Sequence, residues 1–129
     1  MTDADLRLFL ADANAGFRAA AVELLGRDGI LVESTPRIRS VPDSAWRADC
    51  VAVDPGVAAG AVRAVWLARR GPPLVVVTGA PVEDLPEVLL AAADGYVEKG
   101  TNGTFGALEG AVRRAAEGRS EAPTVTGVA

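Results

Sequence analysis

Short β-like runs alternate along this chain with segments in which apolar residues recur at helical spacing, and few folds accommodate that alternation. The runs are Leu6 to Ala11, Ile30 to Ser34, Cys50 to Val53, Leu74 to Val77 and Gly95 to Glu98. Between them lie four stripes: Phe17, Ala21, Leu24 and Leu25; Val57, Ala61, Val65 and Ala68; Leu85, Val88, Leu89 and Ala92; Phe105, Leu108, Val112 and Ala115. Strand-helix alternation of this kind predicts an α/β domain, a parallel sheet with helices on both faces. The stretch from Pro36 to Arg47 is where a further helix belongs. Pro42 interrupts it and its apolar periodicity is poor, so a short or distorted element is expected there.

At 129 residues, 50% of them apolar, the chain suits one core and needs no disulfide or structural metal. The expected domain covers residues 1–117. Residues 118–129 turn to Gly, Ser, Pro and Thr without apolar periodicity and read as a flexible tail or linker. Cys50 is the single cysteine and sits in an apolar run, where it packs as a small hydrophobe. With no histidine, Ser-His-Asp triads, His-ligated zinc and His general bases are all excluded. Net charge is -4 and no stretch concentrates Lys or Arg, so no direct nucleic-acid contact is expected. The start is acidic and no apolar run nears the ~20 residues that cross a bilayer. A cytoplasmic location without membrane contact is the expectation.

In an open parallel sheet, ligands bind beyond the carboxyl ends of the strands, where the strand order reverses. The polar residues just past four of the runs are Asp12, Asp54, Thr78 and Lys99. With strand order 2-1-3-4-5, Asp12, Asp54 and Thr78 stand on adjacent strands, and Lys99 reaches them across about 10 Å on its long stem. Two carboxylates, a hydroxyl and an ammonium in one pocket suit phosphoryl transfer to a carboxylate. Asp54 is the nucleophile, Asp12 helps hold a divalent cation, and Thr78 and Lys99 bond the phosphoryl oxygens. Lys99 is the only lysine among 13 basic residues, a compact point charge in a chain that otherwise uses arginine.

These residues stand in segments that resemble a response-regulator receiver domain, the phospho-accepting half of two-component systems. The segments are Leu8-Phe9-Leu10-Ala11-Asp12 leading to Phe17-Arg18, then Ala48-Asp49-Cys50-Val51-Ala52-Val53-Asp54, Val75-Val76-Val77-Thr78-Gly79, and Ala93-Asp94-Gly95-Tyr96-Val97-Glu98-Lys99. They run in family order over about residues 5–117. The resemblance implies the flavodoxin-like, doubly wound five-stranded fold, and a phosphorelay role in which Asp54 accepts phosphate from a histidine kinase. It implies further that Thr78 and Tyr96 act as switch residues, that Asp12, Asp54 and the main chain of Gly56 hold Mg2+, and that the face around strand five and the last helices changes its affinity for an output domain, a partner protein or a second copy. The only activity it implies is self-phosphorylation and autodephosphorylation.

Two departures bear on that expectation. Receivers carry an acidic pair after strand one, and here the pair reads Asp12-Ala13, which weakens the Mg2+ site or removes it. After strand three, Asp54-Pro55-Gly56-Val57 replaces the family's Met-Pro turn, and the stretch to Thr78 is shorter than usual. Ala13 keeps open an atypical, phosphorylation-independent pseudo-receiver that serves as a binding or dimerisation module. A flavodoxin-like or phosphatase-like enzyme has less support, since the chain has no Gly-x-Gly-x-x-Gly, no Walker loop and no Asp-x-Asp after strand one. Plainer roles remain for the same residues: Asp12 or Asn14 capping the first helix, Asp54-Pro55 starting the next, Thr78 ending a strand and Tyr96 packing in the core. Trp46 and Trp66 are expected as packing anchors, and Asn102-Gly103-Thr104 as a turn into the last helix.

Overall fold

The computed structural model describes residues 6–38, 47–56, 58–69, 71–100 and 102–118. Five strands, β1 (Leu6–Ala11), β2 (Ile30–Thr35), β3 (Cys50–Val53), β4 (Leu74–Thr78) and β5 (Gly95–Glu98), form one parallel sheet of order β2-β1-β3-β4-β5. The described helices are α1 (Ala15–Gly26), α2 (Ala58–Ala68), α3 (Glu87–Ala92) and α4 (Thr104–Ala116). This is the parallel α/β sheet that the alternation predicts, in the doubly wound, flavodoxin-like form that the resemblance implies. The further helix expected between Pro36 and Arg47, and Trp46 with it, fall largely outside the described residues, as do Val57 and residues 119–129.

Side chains alternate across the sheet with a period of two, and each face has its own core. Leu8, Leu10, Val75, Val77 and Val97 pack with Ala21 and Leu25 of α1 and with Leu108 and Val112 of α4. Phe9, Ala11, Val51, Val53 and Val76 face the other way, onto Ala61, Ala64, Val65 and Leu67 of α2 and Leu89 of α3. β3 and β4 are buried at every position, which is why their runs are apolar without alternation. Each fully buried Leu or Val contributes about 1.5–3 kcal/mol. Cys50 is one of these core residues, with no exposed surface, and burial first, then the Asp94 and Asp49 charges, push its thiol pKa far above the ordinary value.

Two aspartates pin the lower edge. The Asp49 amide donates to the Arg7 carbonyl, and the Arg7 amide donates to Asp49 Oδ2 at 2.8 Å. Asp94 repeats the clasp, its amide donating to the Leu74 carbonyl and its carboxylate accepting from the Leu74 amide at 2.9 Å. Each satisfies a strand-entry N–H that has no ladder partner of its own.

Two stripe residues do not lie where helical spacing put them. Leu24 and Val88 are exposed, and the core positions on their helices belong to Ala21, Leu25 and Leu89. α1 is rich in alanine, so periodicity alone leaves the orientation of its apolar face poorly fixed. α3 begins only after Pro86, with Leu85 before it, and its six residues are too few to carry a full stripe. Trp66 packs, partly buried, against the α2 side of the core, as expected of an anchor.

Candidate functional site

All five strands are parallel, so their carboxyl ends share one edge, where the polar residues following β1, β3 and β5 and the last residue of β4 emerge. The Asp12 amide extends the β1 ladder to the Thr35 carbonyl, the Asp54 amide donates to the Ala11 carbonyl, and the Lys99 amide donates to the Thr78 carbonyl at 2.8 Å. The backbone of three site residues is therefore held by the sheet itself. Their side chains converge: Lys99 Nζ lies 2.6 Å from Asp12 Oδ2 and 2.7 Å from Asp54 Oδ2. Side-chain exposure is 2% for Asp12, 20% for Asp54 and 18% for Lys99.

The contacts differ in kind. Asp54 accepts a hydrogen bond from Lys99. Asp12 Oδ2 is buried with no well-aligned donor, so the ammonium compensates it chiefly through charge. Burial by itself would lower the Lys99 pKa, but its contacts with Asp12 and Asp54 outweigh burial and raise it above the ordinary 10.5. The ammonium stays charged, and also faces the Phe17 ring, 4.4 Å from the centroid.

Of the alternative roles for Asp12, helix capping goes to Asn14, which is the N-cap of α1 and accepts from the Phe17 amide at 2.9 Å. Asp12 Oδ1 accepts from the Asn14 amide at 2.9 Å, which orients the carboxylate and leaves Oδ2 turned to Lys99. Arg18 reaches back from α1 to donate to the Asp12 carbonyl at 2.7 Å. Asp54 Oδ1 accepts from the Gly56 amide at 3.0 Å, a tight turn rather than a helix cap, and Gly56 takes a left-handed φ of 68° that glycine adopts without strain.

Thr78 is buried at the end of β4, but its hydroxyl is engaged elsewhere than on the carboxylates, accepting from the Ala80 amide at 3.1 Å. The Tyr96 hydroxyl donates to the Ala80 carbonyl at 2.9 Å. One residue, Ala80, thus links the two expected switch side chains through its backbone. Burial, then the Glu98 and Glu83 charges, raise the Tyr96 pKa above 10.0.

Comparison with solved structures matches this arrangement of strands and helices to receiver domains. The chemotaxis protein CheY4 of Vibrio cholerae superposes with a TM-score of 0.71 at 18% identity, covering 87% of this chain and 99% of that one. A response-regulator receiver domain from Clostridium thermocellum gives 0.72 at 16% identity, covering 87% and 94%. The chain has the fold of a response-regulator receiver domain. The response regulator TrrA of Thermotoga maritima, solved in complex with Mg2+ and BeF, gives 0.69 at 21% identity, covering 85% and 98%. No family model matches the sequence, and no curated protein matches it.

A divalent cation at this edge would find few ligands. Among the described residues no cluster of three or more Asp, Glu, His or Cys side chains forms, and the exposed Ala13 contributes no ligand. What remains is Asp12, Asp54 and the main chain of Gly56. Mg2+ commonly binds through one or two carboxylates and keeps several waters, so this set fits it as a sparse site. The buried, unaligned Asp12 Oδ2 is the atom that calls for a cation, and Lys99 supplies one. The Phe17 and Arg18 contacts and the Ala80 link were not foreseen from the sequence. Only the pairing of Phe17-Arg18 with Asp12 in one motif pointed toward the first two.

Proposed function

We propose that this domain is a phospho-accepting receiver of a two-component phosphorelay. The observation that carries the reading is the Lys99 ammonium shared between the Asp12 and Asp54 carboxylates at the ligand-binding edge of the sheet. Asp54 is the more exposed of the two carboxylates and so the one an incoming donor reaches. One of its oxygens attacks the phosphorus of a kinase phosphohistidine, the P–N bond breaks, and the imidazole nitrogen leaves and takes up a proton. An acyl phosphate forms on Asp54. Lys99 follows the new negative charge, and Thr78 donates its hydroxyl hydrogen to a phosphoryl oxygen.

A divalent cation held by Asp12, Asp54 and the Gly56 carbonyl would neutralise charge on the phosphoryl oxygens, and TrrA, solved with Mg2+ and BeF, supports including it. When Thr78 turns toward the phosphoryl group, the Ala80 amide loses its acceptor. The Ala80 carbonyl then no longer sits fixed beneath the Tyr96 hydroxyl, and Tyr96 is freed to change the surface that an output domain, a partner protein or a second copy meets. No helix among the described residues is long and apolar enough to cross a membrane.

The test is incubation with a small-molecule phosphodonor and Mg2+, read by intact-protein mass spectrometry. One added phosphoryl group is expected, and none in Asp54→Asn. Ala13 favours a second reading, a pseudo-receiver that binds partners without being phosphorylated. Failure to gain mass with any phosphodonor, even at high Mg2+ or Mn2+, would leave that second reading in place.

A further inference from the structure

We propose that Phe17 is a positioning residue for the Lys99 ammonium, holding it at the phosphoryl-binding edge through the face of its ring. An ammonium has three N–H donors and no acceptor. Here two carboxylate oxygens stand at 2.6 and 2.7 Å, and the third side is closed by the Phe17 ring with its centroid at 4.4 Å. The negative face of an aromatic ring attracts a cation, and more strongly where water is displaced, as it is around this largely buried side chain.

The ring is itself fixed from two directions. The Asn14 side chain accepts from the Phe17 amide at 2.9 Å, which sets the first turn of α1. Phe17 also stacks on Phe105 of α4, with centroids 4.9 Å apart and planes 27° from parallel. Both rings pack, partly buried, against the core that α1 and α4 share. A mobile side chain could not hold the ammonium in place, whereas this one is braced by a helix cap and a second ring.

The placement matters because the carboxylates alone would not retain the ammonium once chemistry begins. Under the phosphoryl-transfer reading, on which the functional half of this inference rests, Asp54 turns from a carboxylate into an acyl phosphate and Lys99 must move to the new oxygens. Throughout that exchange the Phe17 face disfavours escape of the stem into solvent. Phe105 extends the contact to α4, so a displacement of Lys99 is felt at the α1–α4 packing as well as at Thr78 and Tyr96.

Lys99 is the only lysine, so its side-chain resonances need no assignment among competitors. In the unphosphorylated wild-type protein, NMR should show the Lys99 ε-methylene and ammonium protons shifted upfield by the ring and the ammonium protected from exchange. Phe17→Leu should return the shifts to those of a free lysine and speed the exchange, while Phe17→Tyr should keep both. Phe105→Leu, which removes only the stacked neighbour of Phe17, should give an intermediate shift. With a phosphodonor, Phe17→Leu should be phosphorylated about three- to tenfold more slowly and Phe17→Tyr within about twofold of wild type, as loss of one cation–π contact implies.

Free-lysine shifts in the wild-type protein would overturn the proposal whatever the variants do. So would unchanged shifts in a folded Phe17→Leu. If the wild type takes up no phosphate while the Lys99 shifts respond to Phe17, the phosphorelay reading fails and the positioning role stands.

Discussion

Replacing Lys99 by methionine isolates what the shared ammonium does for stability. Methionine keeps most of the apolar stem while deleting the charge. Asp12, only 2% exposed, would then face Asp54 with its buried Oδ2 uncompensated. Breaking a buried ion pair by removing one partner costs about 3–5 kcal/mol, because a desolvated charge is left behind. The Asp54 half of the bridge is wetter, at 20% exposure, and contributes at the scale of a surface pair, about 0.2–1 kcal/mol. Rehydration of the opened site offsets part of the cost of stranding Asp12, so Lys99→Met should lose about 2–4 kcal/mol at neutral pH. For a domain of ordinary stability, about 5–15 kcal/mol, that is a large share. Urea unfolding followed by tryptophan fluorescence measures it, and the decisive comparison is the double variant Asp12→Asn/Lys99→Met. Removing the stranded charge should restore at least half the loss. Equal stability of wild type and Lys99→Met, or a double variant less stable than Lys99→Met alone, would refute the picture of a buried carboxylate that needs the ammonium.

The same geometry fixes four more outcomes. Raising the pH tests the ammonium in another way: with its folded-state pKa held above 10.5, Lys99 contributes stability that is complete below that value and is lost as the pH climbs through the higher folded value. Alkaline unfolding monitored by circular dichroism should therefore be steeper for the wild type than for Lys99→Met. Tyr96 is the only tyrosine, and ultraviolet titration should show its phenol ionising above 10.0, with the midpoint falling when Glu98→Gln removes a nearby charge. At the opposite edge, Asp94→Ala strands the Leu74 amide at the mouth of a buried strand and should cost about 1–3 kcal/mol in urea unfolding, with any phosphodonor reaction at the Asp54 edge unaffected. Gly60→Ala would drive a methyl into the Pro55 carbonyl, so the turn after Asp54 must shift, and under the proposed function slower phosphorylation by a small phosphodonor is the expected result.

What could be read from the sequence divides along a physical line. Strand runs were legible almost to the residue because β3 and β4 are buried on both faces, and nothing but an apolar run fits there. Thr35 and Thr78 lie one residue past the runs read from the sequence, yet backbone pairing carries the ladder through both, Ala11 with Thr35 and Thr78 with Glu98. The meeting of Asp12, Asp54 and Lys99 was legible for the same topological reason, since carboxyl ends of parallel strands share an edge whatever the side chains are.

Contacts set by rotamers and turns were not legible. Spacing along the chain says where a Cα goes, and cannot say that Lys99 turns under Phe17, that Arg18 folds back to the Asp12 carbonyl, or that Ala80 offers its N–H to Thr78 and its C=O to Tyr96. Ala13 falls on the loop side of that line. The sheet delivers two carboxylates and an ammonium to one point whichever residue stands at position 13, so the missing acidic side chain does not disturb the part of the site that topology builds. It removes only a ligand that the loop would have added. Under the proposed function, cation affinity therefore depends on the loop, while the placement of Asp12, Asp54 and Lys99 at one edge follows from the strand order.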